Sequence, residues 1–394
     1  MEPQRLKERA SARIDERAAD LDELALRIHD RPEIAFEERF ASGALADYLA
    51  VRGHRVSRAT GGIETAFCAE AGGAAGPVVA ILAEYDALPG LGHACGHNLI
   101  ATAAVGAFLG TAAVAGDLRG TVRLLGTPAE EKGAGKARLL AAGVFAGVDA
   151  ALMFHPADVD LIDPPMLALA VVRIEMQGKA AHAAAAPSEG VNALDGLLLG
   201  WTALSALRQL VRSDARIHGI ITDGGQAPNI IPEHAAATVI VRAADAAYVA
   251  ELRRRVLACF EGAARATGCE LLHEWEEQMD PVTTNPAIAA AFVDNARVLG
   301  RSLRPRRTGE LGASTDMGNV SAVIPSIHPL LSITETAVPW HSHDFAAAAR
   351  SPRGLETMHV AAKALAFTAI DLLARPQLLR EAKESFAARR RPPV

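Results

Sequence analysis

Aromatic side chains are scarce in this chain, 4% of its 394 residues, while Ala is abundant. That bias of composition points to no function. Cysteine is sparse too: Cys68, Cys95, Cys259 and Cys269 lie far apart. The N-terminal stretch MEPQRLKERASARIDERAAD is charged and lacks the apolar segment of a secretory leader. Reduced thiols and a cytoplasmic location are therefore expected, with Cys68, Cys259 and Cys269 read as small buried hydrophobes. No uncharged run of about 18 residues stands out as a membrane span. The best, residues 99–116, is rich in Ala and Gly and reads as core. Neither sign of charge dominates, the formal net charge being −6, so neither nucleic acid nor a membrane is an expected partner. The basic end RRRPPV is too short to alter that and reads as disordered.

What the chain does have is one dense stretch, Glu84–Asn98, EYDALPGLGHACGHN. It holds two carboxylates, two histidines and a cysteine. The run before it, PVVAILA (residues 77–83), is short, apolar and partly β-branched, and ends at a Pro/Gly-rich turn: a buried strand. The run after Asn98 is long, apolar and rich in small residues: a buried helix. The cluster thus occupies a strand-to-helix loop, where open α/β sheets build their sites. Cys, His and carboxylates in one Gly-rich loop suit a divalent metal better than a packing role. The alternation of His93, Cys95 and His97 leaves open which histidine joins the cysteine.

The length suits two domains, or one with a large insertion. Helical patterns cover residues 4–29 and 36–52, with HDRPEIAFEE between them. Strands are expected near 53–57, 64–70, 77–84, 120–126 and 148–154, with helices near 97–113 and 133–143. Such alternation predicts an α/β fold with a mostly parallel sheet and helices on both faces. Asp86, Cys95, Glu130, Glu131 and His155 then all fall just past strand ends, at one edge of the sheet. From residue 166 the order changes to strand, helix 190–212, strands 216–222 and 236–242, helix 246–267 and strand 269–275. That β-α-β-β-α-β order is ferredoxin-like. Alternation resumes over 286–375. The expected division is a catalytic domain in two parts, 1–166 and 281–394, with 167–280 inserted.

Two further groups stand out. Glu130 and Glu131, in GTPAEEKGAGK, could serve as a metal ligand and a general base, or could be a solvated acidic turn paired with Lys132 and Lys136. His155 ends the strand VDAALMFHP, where a lone histidine is as easily a hydrogen-bonding residue as a ligand.

DALPGLGHACGHN resembles the corresponding loop of the M20 family of metal-dependent amidohydrolases and peptidases. The likeness is to the branch with N-acyl amino acid hydrolases, aminobenzoyl-glutamate hydrolase and a dipeptidase-like M20 domain-containing protein 2 group. Further motifs follow in family order over nearly the whole chain, with no departure at a ligand position. The resemblance implies a zinc-peptidase-like catalytic domain and an inserted lid that also forms a homodimer. It implies two divalent ions (zinc or manganese, with cobalt admissible) on Cys95, His97, Glu131, His155 and His341, with Cys95 bridging. His341 is selected over His343 by its spacing to Phe345 in PWHSHDF. Glu130 becomes the general base, and Asp86 orients a ligand histidine. Glu84 stands where the M20 pattern elsewhere has a histidine, and is not carried over as a ligand. In GKAAHAAAAPSEGVNAL, His182 would stabilise the oxyanion in the partner subunit's site. Asn229 and Arg242 would hold a substrate carboxylate. HDRPEIAFEE would shape the substrate side of the catalytic domain, and GASTDMGNVS would lie beside the substrate cleft. The implied reaction is hydrolysis of an amide bond in N-acyl amino acids or related small amides. A dipeptidase is the second reading. A non-catalytic binding homologue, or an enzyme using Cys95 as a redox or nucleophilic thiol, would be other classes altogether.

Overall fold

A computed structural model describes residues 2–73, 75–310 and 312–389. The expected basic tail, past Arg389, lies outside the described residues. The chain divides into two compact units. The first comprises 1–165, 282–310 and 315–394; the second comprises 166–281 and 311–314.

The first unit opens with helices α1 (Pro3–Asp15), α2 (Ala18–His29) and α3 (Arg39–Ala50). Leu6, Ala10 and Ile14 of α1, and Leu21, Leu24, Ala25 and Ile28 of α2, form the buried stripes. The single helical pattern expected over 4–29 is thus two helices. Ile14 and Leu21 are seven residues apart, two full turns, so the apolar period runs straight through the break. Strands β1 (Val56–Arg58), β2 (Phe67–Gly72) and β3 (Val78–Ala83) follow, then α4 (His97–Ala112), β4 (Thr121–Gly126), α5 (Gly135–Ala141), β5 (Ala150–Leu152) and β6 (His155–Ala157). The strand expected at 148–154 is the shorter β5, and β6, just beyond it, belongs to a different sheet.

The second unit carries β7 (Ala168–Gln177), α6 (Ala193–Leu207), β8 (Arg216–Asp223), β9 (His234–Ala243), α7 (Ala246–Thr267) and β10 (Glu270–Trp275). Its sheet order is β10-β7-β9-β8, antiparallel throughout. Every second residue of β9 is buried, as a sheet with one covered face requires. The covered face packs on α6 and α7 around Leu197, Val241 and Phe260. Asn192 and Asp245 cap those helices by accepting from backbone N–H groups of their first turns.

The chain then returns to the first unit as α8 (Pro286–Val298), α9 (Met317–Val323), β11 (Ser326–Ile327), β12 (Leu330–Ser332), α10 (His343–Ala348), α11 (Pro352–Ala374) and α12 (Pro376–Arg389). The main sheet runs β1-β2-β4-β3-β5-β11. Its β4-β3-β5-β11 portion is parallel, whereas β1-β2 and β2-β4 are antiparallel. The sheet is therefore mixed, with three of its five pairings parallel. β2 enters by a short connection from β1 and forms an antiparallel margin. A separate parallel pair joins β12 to β6.

Helix α4 is buried along nearly its whole length, including two glycines at crossings. A Cβ on Gly110 would lie 2.8 Å from Ile14 Cδ1 and 3.0 Å from the Ala10 carbonyl. One on Gly106 would lie 3.1 Å from Ala362 Cβ. Helices α1 and α11 thus approach α4 at glycine. Helix α11 is long and apolar enough to cross a membrane by length and composition, although its sequence did not stand out as a span; 78% of its most apolar window is buried in this fold.

Candidate metal centre

The parallel strands aim their C-terminal ends at one place. Asp86 and Cys95 follow β3, and His97 begins α4. Glu130 and Glu131 follow β4. His155 begins β6 and is paired with Leu330 of β12. His341 precedes α10. Cys95, His97 and His155 each offer a ligand atom within 4.8 Å of the others. So do Cys95, Glu131 and His341, and likewise His97, Glu130 and Glu131. Cys95 is common to the first two groups, as a bridging atom would be.

Distances refine this. Cys95 Sγ lies 3.4 Å from His155 Nε2, and His341 Nε2 lies 3.4 Å from Glu131 Oε1. The Nδ1 of His97 lies 2.9 Å from the Asp86 carbonyl oxygen and 3.1 Å from Asp86 Oδ1. Both are acceptors, so Nδ1 carries the proton and Nε2 presents a lone pair to the cluster. That Nε2 is buried and has no hydrogen-bond partner; nor has Glu131 Oε1. The other Asp86 oxygen accepts from Glu131 N at 2.9 Å. Glu38 Oε1 accepts from Ala129 N at 2.8 Å. Two buried carboxylates thus bracket Glu130 through the backbone on either side. Ala129 is held in the left-handed region at φ 61°, as is His341 at φ 57°, conformations that need such support in residues other than glycine.

The electrostatics ask for a cation. Burial, then Glu84, Glu131 and Asp316, push the Glu130 carboxyl well above the usual range. Burial and Glu131 push the Cys95 thiol up likewise. Burial disfavours a charged His97 ring, but Cys95 and Asp86 outweigh it and raise the ring well above its usual value. Its surroundings therefore favour positive charge at that ring, which a divalent ion on Nε2 supplies in place of a proton. Burial, then the neighbouring His97, holds His155 neutral down to about 4. Imidazole lone pairs and crowded carboxylates with unpartnered atoms fit divalent ions.

Beneath the cluster lies a lysine that the sequence suggests only as a solvent partner of the acidic turn. Lys136 is fully buried. Its ammonium donates to Glu84 and to Asp316 Oδ1, the latter at 2.5 Å, while its own N–H donates to Asp316 Oδ2 at 2.8 Å. A lysine opening a short apolar helix, GKARLLA, was the available signal. His328, also missed, is buried with its ring centroid 5.5 Å from that of His155.

His93 is buried away from the ligand groups, with both ring nitrogens unpartnered, so the geometry brings His97 to Cys95. His343 is exposed and joins none of the groups. HDRPEIAFEE acts as a tie: both Glu33 oxygens accept from the first N–H groups of α3, Phe40 N and Ala41 N, at 2.9 Å each.

His182, Asn229 and Arg242 belong to the second unit. Residue 182 pairs with Ile230, and Ala183 N donates to the Asn229 carbonyl at 3.0 Å. The His182 ring is exposed, and its Nδ1 accepts from Ala184 N and Ala185 N. Asn229 is exposed at a turn. Arg242, on β9, donates to Ser314 Oγ at 3.2 Å, while its Nε is buried and unpartnered.

Residues 80–366 match the description of peptidase family M20/M25/M40. The chain is 42% identical to the Xaa-Arg dipeptidase of Mus musculus over 398 residues, covering 97% of this chain and 92% of that protein. It is 32% identical to a p-aminobenzoyl-glutamate hydrolase chain of Escherichia coli (strain K12) over 442 residues, covering 92% and 91%. Among solved structures, its fold resembles a Bacillus subtilis dinuclear metal binding peptidase from the M20 family, with a TM-score of 0.67 at 23% identity, covering 91% of this chain and 98% of that one. The chain belongs to peptidase family M20/M25/M40, and it is a hydrolase that cleaves C–N amide bonds.

Proposed function

We propose that the chain hydrolyses N-acyl amino acids or related small amides with two divalent ions held on Cys95, His97, Glu131, His155 and His341. Zinc, manganese and cobalt all suit this donor set. The observation that carries the reading is the convergence of buried, unpartnered donor atoms beside Glu130. That the B. subtilis structure is a dinuclear metal binding peptidase agrees with a count of two. The ions would polarise the scissile carbonyl and acidify a water.

The chain's own residues supply the rest. Glu130, fixed on both sides by Glu38 and Asp86, takes the proton of the attacking water and delivers it to the leaving amine. Asp86 keeps the proton of His97 on Nδ1. His182 accepts backbone N–H groups at Nδ1, so its neutral ring carries the proton on Nε2; this supports donation to the oxyanion of a partner subunit's substrate. The unpartnered Arg242 Nε supports a role in holding a substrate carboxylate, with Asn229 beside the His182 segment. A homodimer through the second unit is supported by edge strand β8, where Ile220 and Ile221 are 65% and 40% exposed. Four unpaired cysteines agree with a cytoplasmic setting.

Dipeptides are a second reading, favoured by the 42% identity to an Xaa-Arg dipeptidase across 97% of the chain. Amine release would be followed from N-acyl amino acids, dipeptides ending in Arg and aminobenzoyl-glutamate, using metal-stripped protein with zinc or manganese restored. Cleavage that returns with metal supports the mechanism, and the preferred class decides between the readings. Full activity in stripped protein would overturn the metal role. His182→Ala should slow turnover with little change in unfolding temperature; an unchanged rate would remove it from the oxyanion site.

A further inference from the structure

Trp340 stands beside the candidate ligands, yet an indole has no lone pair to give an ion. Its ring centroid lies 5.4 Å from that of His155, the planes tilted by 39°. It is half-buried and packs against the first core. The next residue, His341, brings its Nε2 to within 3.4 Å of Glu131 Oε1. Two adjacent side chains thus reach two different members of the cluster. The backbone around them is pinned. His341 N donates to the Ala94 carbonyl at 3.0 Å, Ser342 Oγ donates to the Pro339 carbonyl at 2.6 Å, and Phe345 N donates to Ser342 Oγ at 3.2 Å. The indole is therefore set in place, and a group that settles against it need not order it first. The candidate ligands and Glu130 are all ionisable, whereas Trp340 brings a broad apolar face to the same place.

The base lies on another flank. Among the described residues, Glu130 shares groups of close donor atoms with His97 and Glu131, and with Glu84 and Asp316, but none with His155 or His341. Trp340 leans on the first of these two histidines and adjoins the second in the chain. A base that returns its proton to the leaving amine needs that amine on its own flank. The other substituent of the scissile carbonyl, the acyl half, then points to the flank of His155 and His341, where the His341 side chain is 48% exposed. We propose that Trp340 is a specificity residue for the acyl half, its indole forming the wall against which an apolar acyl group, above all an aromatic one, comes to rest. This rests on the N-acyl reading above and on Glu130 as the base, and it names the acyl class. Flat acyl groups gain most, because offset or edge-on contact between rings adds to apolar burial. An acetyl group is too small to cover the ring and gains little.

The test compares N-phenylacetyl and N-acetyl derivatives of one amino acid on the metal-loaded full chain. Wild type should cleave the phenylacetyl compound with the higher kcat/KM. Trp340→Ala should lower kcat/KM for that compound by about tenfold or more and leave the acetyl compound within about threefold. Trp340→Phe keeps an aromatic face and should hold the preference within about threefold of wild type. An equal fall for both compounds, at unchanged unfolding temperature and metal content, would reduce Trp340 to a structural part and overturn the proposal. A second measurement needs no turnover and carries the test if Trp340→Ala folds poorly. Phenylacetate, the acid product, should change the tryptophan emission of wild type but not of Trp340→Phe, since the other tryptophans, Trp201 and Trp275, belong to the second unit. Acetate should change neither. Emission that ignores phenylacetate, or a change that survives in Trp340→Phe, would overturn the wall. Wild type that cleaves neither compound would overturn the N-acyl reading itself, a failure distinct from cleavage of both without preference, which would overturn the wall alone.

Discussion

Glu130 and Glu131 are neighbours with opposite environments, and single substitutions separate them. Glu131 Oε1 faces His341 at 3.4 Å, whereas Glu130 is pushed toward its protonated form by burial and three other carboxylates. Glu130→Gln should keep metal and lose about 100-fold or more in kcat. Metal loss in that variant, measured by elemental analysis, would mean the two roles are exchanged. Glu38 gives a pH signature. Burial, then the nearby Asp86, raises its carboxyl from the ordinary 4.5 to about 7. A raised carboxyl stabilises the folded state fully below 4.5, and that contribution is lost as pH climbs through 7. The Tm of wild type minus that of Glu38→Gln should therefore fall between pH 5 and 8, and parallel profiles would refute this. Much at this scale was legible, because motifs mark Cys95, Glu130 and His341 whatever surrounds them. The choice of His97 over His93 came from the motif alone, since spacing leaves it open and it depends on which ring meets Asp86. Lys136 was hidden because burial with two acids leaves no trace in its neighbours along the chain.

Among elements, α5 shows how tightly the site is framed. A Cβ on Gly135 would lie 1.8 Å from the Pro128 carbonyl oxygen, so the segment bearing Glu130 and Glu131 would have to move. Gly135→Ala should cost about 100-fold in kcat/KM, by displacement of the reacting groups. A near wild-type rate would show that the loop relaxes freely. At the α4 crossing, Gly110→Val should destabilise by about 1–3 kcal/mol in denaturant unfolding without touching a site residue, because the α1 backbone stands where the side chain would go. Helices with caps were the most legible elements: residues 246–267 were expected as one helix and form one, opened by Asp245. Breaks that preserve the apolar period, such as that between α1 and α2, were not. Nor was the step from β5 to β6, since a run of buried residues has no periodicity that changes when a strand switches sheets.

The whole molecule rests on two separate hydrophobic cores, and all the candidate ligand groups belong to the unit built on the first. Stripping metal should lower the unfolding temperature, and restoring it should raise stability by about 2.7 kcal/mol per ion at a hundred times its Kd. No shift on chelation would argue against bound ions. The alternation of strands and helices, and the change of order near residue 166, were legible because each unit has its own rhythm of apolar residues. The antiparallel margin of the main sheet was not, because pairing direction is decided by connections rather than by the strands themselves.

Strands β11 and β12 and the side chain of His341 arrive late in the chain, yet they lie against β5, β6 and Glu131. A chain still being translated carries Cys95, His97, Glu131 and His155 well before it carries His341, the fifth of the proposed donors. On the proposed five-donor reading, loading of the complete centre would wait until synthesis has passed residue 341.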